Sequence, residues 1–285
     1  MDVETGRAAS PAAAYVAELV AYAPARVDRA RESRHGRHGH VEVVIAGGGR
    51  PGLTTLREGS LHAALKARYA ASIPGARIEA PVDGFVVDVA GEDEVVEIQT
   101  GSFSSARRKL ERLVTARRVL LVHPIPLEKW LVRVDAGGAI LHRRRSPRRG
   151  LAMDLFDELV HIPALIAHPN FRIELALTSE EEIRGPIAAG VRYRYLRDWR
   201  RLDRRLLEVV ATRRIDSPAD LLGLLPVGLA EPFTTADIVA ATGRSRRLAR
   251  RVAYCLERCG ATARLARQGR LVAYCRAPGM PDAAA

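Results

Sequence analysis

Residues 79–101 read Glu-Ala-Pro-Val-Asp-Gly-Phe-Val-Val-Asp-Val-Ala-Gly-Glu-Asp-Glu-Val-Val-Glu-Ile-Gln-Thr-Gly. Two runs rich in β-branched residues, 85–89 and 95–98, flank Ala90-Gly91-Glu92-Asp93. That pattern predicts a hairpin with a turn of a few residues. Asp83 then stands where the first strand begins, and Glu97 and Gln99, two apart on the second, share a face. A register pairing Asp83 with Gln99 sets Asp83, Glu97 and Gln99 side by side. Three acceptor-rich side chains are costly to bury together unless a cation joins them, and a hard divalent ion suits oxygen ligands.

The flanking segments complete a unit around this hairpin. Residues 53–71 carry a helical period, with Leu61, Leu65 and Tyr69 at i, i+4 and i+8. Glu58 lies one turn before Leu61 and either points at whatever that helix packs on or, if Ser60 is the N-cap, precedes the helix near the sheet edge. Residues 102–118 predict a second helix, with Leu110, Leu113 and Val114 as its apolar stripe, Arg107, Arg108, Lys109 and Arg112 beside it, and Ser102 or Ser104 as caps. Its start and Arg107 can hold a phosphate or simply face solvent. The continuous apolar run 119–122 suits a central strand, parallel to the second hairpin strand through a right-handed crossover.

Pro81-Val82-Asp83, followed by Glu97-Ile98-Gln99, resembles the nuclease superfamily with the motif PD…(D/E)xK, and the helix, hairpin, helix, strand order is similar to that fold. Residues 56–66, 79–110 and 118–134 also resemble an uncharacterised bacterial family assigned to the restriction-endonuclease-like fold. The resemblance implies an α/β domain at 41–185, a restriction-endonuclease-like mixed sheet flanked by helices. It implies that Asp83 and Glu97 hold Mg²⁺ or Mn²⁺ and that a metal-activated water hydrolyses a DNA phosphodiester. Val82 is inserted between Pro and Asp, and Gln99 occupies the Lys position. Gln cannot supply that positive charge, so Lys109 enters as a migrated lysine, and Glu58 as a further acidic group from the preceding helix.

Composition points the same way. Lys and Arg number 45 against 33 Asp and Glu, for a formal net charge of +12. Arginine favours bidentate phosphate contacts, so nucleic acid leads as partner, although a GC-rich genome also favours Arg. Residues 1–40 read as a disordered basic arm whose Arg34–His40 run holds three His. Gly47-Gly48-Gly49-Arg50-Pro51-Gly52 satisfies the dinucleotide fingerprint, but Pro51 and the elements that follow do not suit it. No run reaches the roughly 18 apolar residues of a membrane span, no signal peptide is evident, and three Cys are too few for a disulfide framework. The expectation is a cytoplasmic protein with no membrane partner; a homodimer stays open.

Beyond the unit, 129–134 and 139–142 predict a second hairpin, followed by the arginine-rich run 143–149, read as a phosphate-tracking or a solvated loop. Residues 154–167 predict a helix and 171–177 a strand, with a boundary near 180–190 and a linker at 186–197. From Trp199 the apolar spacing predicts helices: Trp199, Leu202, Leu206, Val209 and Val210 on one face, arginines on the other. Then come a short helix ending at Thr242-Gly243, a second capped by Ser245, and two strands about Gln268-Gly269. That order resembles bacterial winged-helix DNA-binding domains and is expected over 198–277, before a disordered tail at 278–285. The resemblance makes the helix with Arg246, Arg247, Arg250 and Arg251 the one that enters the major groove; a protein-contact role is the other reading. Cys255 and Cys259, at i and i+4, read as core. The leading expectation is therefore a Mg²⁺-dependent DNA nuclease. Its rival is a non-enzymatic DNA-binding regulator on a nuclease fold that has lost catalysis, and a weaker third class is a nucleotide-binding oxidoreductase.

Overall fold

A computed structural model describes residues 59–186, 199–268 and 271–280. Glu58, the glycine-rich stretch 47–52 and the arm at 1–40 lie outside the described residues. The chain forms a large mixed sheet with helices on both faces, followed by a smaller helix-and-hairpin region.

The first helix, α1 (Ser60–Ser72), buries Leu61, Leu65 and Tyr69 as their spacing predicts. Ser60 is its first residue and not its cap. The cap residue is Gly59, and Asp203 from a distant strand accepts from Ser60 N at 3.1 Å, doing from outside what an N-cap carboxylate does within a helix.

Three strands follow, β1 (Arg77–Val82), β2 (Phe85–Ala90) and β3 (Glu94–Ile98). The predicted hairpin is present as β2 and β3, but its register is Val89 with Val96 and Ala90 with Val95. An unexpected hairpin precedes it. Val82 pairs with Phe85 across Asp83-Gly84, both at positive φ (48° and 82°). Asp-Gly at two positive-φ positions is the combination a two-residue turn between twisted strands requires. Asp83 therefore sits in a turn and does not open a core strand.

The helix α2 (Arg107–Leu113) is shorter than expected; residues 102–106 form turns, and neither Ser102 nor Ser104 caps it. The strand β4 (Arg118–Val134) runs parallel to β3, as the crossover predicts, and continues through Pro124 and Pro126 to absorb the first strand of the next hairpin. β5 (Ile140–Arg145) returns antiparallel along its outer half. The predicted helix at 154–167 is instead a 3₁₀ turn (Ala152–Leu155), one α turn α3 (Phe156–Leu159) and a second 3₁₀ turn (Pro163–Ala167). Pro163 opens the second 3₁₀ turn, since proline cannot continue a helix.

Two corrections concern the edge of the sheet. β6 (Phe171–Pro186) runs on through Glu180–Glu182, which were expected to mark a boundary. Residues Trp199–Ile215, expected to be helical, are β7, antiparallel to β6 over its whole length. The ladder contains three register shifts. Each inserts a residue and breaks the period of two, so the apolar residues fall at spacings that imitate a helix. The order is β1-β2-β3-β4-β6-β7, with β5 beside β4. The sheet region therefore ends near residue 215, not 185, and 198–277 is not a separable unit.

The last region holds α4 (Pro218–Leu222), β8 (Phe233–Thr234), α5 (Thr235–Thr242), α6 (Arg246–Arg258) and the antiparallel pair β9 (Thr262–Gln268) and β10 (Leu271–Arg276), with β8 beside β10. Its sequence signals hold. Thr234 and Asp237 make a capping box, Ser245 Oγ accepts from Leu248 N at 3.2 Å, and Gly243 ends α5 at φ 63°. Cys255 and Cys259 are buried core residues. One apolar core runs from the sheet face under α2 and α3 into α4 and α6, and a second lies between α1 and the opposite face. No helix among the described residues is long and apolar enough to cross a membrane.

Candidate functional site

The site forms where β2 and β3 part. Glu97 follows from the alternation of β3: Val96 and Ile98 pack against α1, so Glu97 turns to the other face, where α2 lies. There Lys109 Nζ sits 2.5 Å from Glu97 Oε1. The ammonium also donates to the carbonyl of Val86. Glu97 Oε1 is buried against this ammonium, and the Asp88 backbone N–H also favours the charged Glu97 carboxylate. The expected migrated lysine thus does reach the expected glutamate.

Asp88 completes the cluster. Continuing the Val89–Val96 register sets Asp88 across from Glu97. Side-chain alternation breaks here, since Val87 packs with the core under α2 and Val89 with the core under α1. Asp88 Oδ2 accepts from Ile98 N at 2.7 Å, taking the place of a ladder carbonyl, and lies 3.3 Å from His62 Nε2 on α1. His62, Asp88, Glu97 and Lys109 come from α1, β2, β3 and α2, four of five successive elements, and converge without any long loop.

The two carboxylates differ in protonation. Burial pushes Glu97 up, and the nearby Asp88 charge adds to that. The Lys109 charge opposes them, and Glu97 ends raised from 4.5 to about 7. Burial also pushes Asp88 up, but the hydrogen bonds from His62 and Ile98 N and the Lys109 charge outweigh it and hold Asp88 below its ordinary value. Two adjacent carboxyl groups pushed apart in this way are a recurring property of sites that transfer protons or hold cations.

The other expected residues fall elsewhere. Asp83, on the β1–β2 turn, is beside Arg117 at 3.9 Å and is not brought to Glu97. Gln99 does not share a surface with Asp83; its Nε2 donates to Ser102 O at 2.6 Å and to Ser105 Oγ at 3.0 Å. It ties down the turn between β3 and α2. Arg107 is paired with Glu111 at 2.8 Å on the exposed side of α2. Ser245 is engaged in capping α6. Arg251 is not available on a free face: its Nη1 donates to Asp157 O and Oδ1, each at 2.6 Å, and anchors α6 to the sheet region. Arg246, Arg247 and Arg250 are exposed, as expected.

Two supporting residues carried no motif. His123 on β4 is buried, and its Nδ1 lies 2.7 Å from Gln99 O. The carbonyl can only accept, so Nδ1 carries the proton; burial holds the imidazole below its ordinary pKa. Arg204 on β7 donates through Nη1 to Thr100 O at 3.2 Å and through Nε and Nη2 to Glu180. Between them they fix the chain just past β3. Asp88, by contrast, did leave a signal: it is the one charge inside an apolar strand run, Phe-Val-Val-Asp-Val.

Among the described residues no three His, Cys, Asp or Glu side chains are grouped as a metal site. Residues 59–216 match the model of a family described as a domain of unknown function, DUF8091. That span closes at the end of β7 and leaves out α4 to β10. An uncharacterized protein of Treponema pallidum (strain Nichols) is 30% identical over 192 residues, covering 67% of this chain and 74% of that protein. No solved structure matches the chain.

Proposed function

The chain belongs to the DUF8091 family, and from that premise we propose that it is a metal-dependent deoxyribonuclease of the restriction-endonuclease-like type, with Asp88, Glu97 and Lys109 as its working residues. The observation that carries this reading is the Glu97–Lys109 pair beside Asp88 at the parting of two core strands. The order α1, hairpin, α2, β4 supports it, because it repeats the helix, hairpin, helix, strand arrangement of the nucleases that the motif resembles. Asp88 takes the role first expected of Asp83.

The residues fit a hard divalent ion. A buried carboxylate next to a second carboxylate held ionised is a donor set for Mg²⁺ or Mn²⁺, which bind through one or two carboxylates and keep water and phosphate as remaining ligands. Bound there, the ion would polarise the phosphate and lower the pKa of an attacking water. The chain's own residues supply the rest. Lys109 places a positive charge where negative charge grows on the phosphate and water. His62 and Ile98 N keep Asp88 ionised and oriented. Gln99, facing the Ser102–Ser105 turn, shapes the site from behind.

The second region, with helix α5, turn, helix α6 and the β9–β10 hairpin, is read as a winged helix that presents α6 to DNA. One observation favours a non-catalytic protein on the same scaffold: Gln99 is engaged with the turn, so the usual lysine position contributes no charge. Incubating the full chain with supercoiled plasmid and Mn²⁺ or Mg²⁺ separates the readings. Nicking by wild type, abolished by Asp88→Asn and kept by Asp83→Asn, is the expected result. Cleavage that survives Asp88→Asn overturns the assignment, and an inert wild type that still binds DNA leaves the regulator.

A further inference from the structure

Six arginines stand out because they are exposed and have no carboxylate partner among the described residues: Arg144 on β5, Arg148 and Arg149 on the loop after it, and Arg246, Arg247 and Arg250 on α6. Most other arginines nearby are paired. Arg143 meets Glu181 at 2.8 Å and lies over the Trp130 ring, Arg145 pairs with Glu128, and Arg251 with Asp157. The unpaired six come from two regions far apart in sequence.

The structure joins them. Arg244, in the turn between α5 and α6, donates to Arg149 O at 3.3 Å and pairs with Asp154 Oδ2 at 3.3 Å. The arginine loop is held flat against β4 by Ser146 N to Lys129 O at 2.7 Å and Gly150 N to Pro126 O at 2.8 Å. A Cβ on Gly150 would lie 2.8 Å from Pro126 O, so only glycine allows this approach. Arg251 and Asp157 fix the same flank of α6, and the apolar core continues beneath.

We propose that β5, the 146–150 loop and α6 form one track for duplex DNA, gripped by the sheet region and the helix together and not by α6 alone. Like charges on elements joined in this way repel unless counter-charge is supplied, and a phosphate backbone supplies it in a row. Duplex is favoured over single strand because β5, the loop and α6 carry one Phe, Tyr or Trp between them, Tyr254 on α6, at 44% exposure; strand-binding surfaces stack bases on several rings. DNA is favoured over RNA because a 13-residue helix whose outer face carries Arg246, Arg247 and Arg250 fits the wide major groove of B-DNA and not the narrow one of A-form RNA.

The inference rests on the nucleic-acid part of the reading above and not on hydrolysis. Its test uses the full chain in EDTA, with fluorescence anisotropy on a labelled duplex of about two helical turns across a salt series. Arg148→Glu with Arg149→Glu, and separately Arg247→Glu with Arg250→Glu, should each weaken binding at least about tenfold and lower the salt slope by roughly one per arginine lost. The matching Gln pairs should show the same fall in slope with less loss of affinity, which covers a Glu variant that misfolds. A loop pair that binds as wild type overturns the shared track. So does equal affinity for duplex DNA, duplex RNA and single strand. With divalent ions chelated, a failure here leaves the hydrolytic site standing, and an inactive protein that binds as described leaves the track standing.

Discussion

Lys109→Ala is expected to slow DNA cleavage by roughly ten- to a thousandfold, the scale of losing one electrostatic stabiliser. It is also expected to move the pH dependence. The ammonium 2.5 Å from Glu97 favours the charged carboxylate, so its removal raises the Glu97 pKa further above about 7. The acid limb of the rate profile should then shift to higher pH. Stability carries the opposite mark of the same group. Glu97 binds its proton more tightly in the folded chain than its ordinary 4.5, so its contribution is full below that value and is lost as pH rises through about 7. Gln99→Lys should keep or raise activity, since it restores charge just past the end of β3. Cleavage rates for wild type, Lys109→Ala and Gln99→Lys across the neutral range decide this. An active enzyme with an unaffected Lys109→Ala variant contradicts the role given to the lysine.

Arg204→Ala should destabilise the fold by about 3–5 kcal/mol, the usual effect of stripping one partner from a buried ion pair. Glu180 has no exposed surface, and Arg204 holds both its oxygens at 2.9 and 3.0 Å. Thr178 Oγ1 donates to the same carboxylate at 2.6 Å but cannot neutralise it. Replacing both charged residues by leucine should recover most of the loss, because no buried charge is then left alone. Denaturant unfolding of the single and double variants measures the difference. A loss under about 1 kcal/mol for Arg204→Ala, or no recovery in the double variant, contradicts the pairing argument.

Local signals and their failures divide along physical lines. The helix at α1, the β2–β3 hairpin and the helices α5 and α6 were legible because their determinants are near in sequence: Leu61, Leu65 and Tyr69 at helical spacing, Gly243 after Thr242, Ser245 before Leu248. β7 was not legible, because what makes it a strand is its ladder to β6, and the register shifts in that ladder disguise its period. The site was half legible. Glu97 and Lys109 came from the strand pattern and the helix after it. Asp88 carries no motif of its own beyond one charge in an apolar strand run, and Asp83, which follows Pro81 and Val82 in the motif's place, belongs to Asp83-Gly84, the strongest turn signal in the stretch. Asp83-Gly84 closes β1 onto β2, and the separate β2–β3 register brings Asp88 opposite Glu97. His62, His123 and Arg204 depend on contacts between elements far apart in the chain and left no motif to find.

Calorimetric titration of Mn²⁺ tests the central claim most directly, since it asks whether Asp88 and Glu97 form a cation site without requiring turnover. Wild type should bind, and Asp83→Ala should bind equally, because Asp83 belongs to a turn beside Arg117. Asp88→Ala with Glu97→Ala should lose binding, with circular dichroism showing the fold retained. Equal Mn²⁺ binding by wild type and that double variant would contradict the account, as would a wild type that takes up no ion at a pH where Glu97 is ionised.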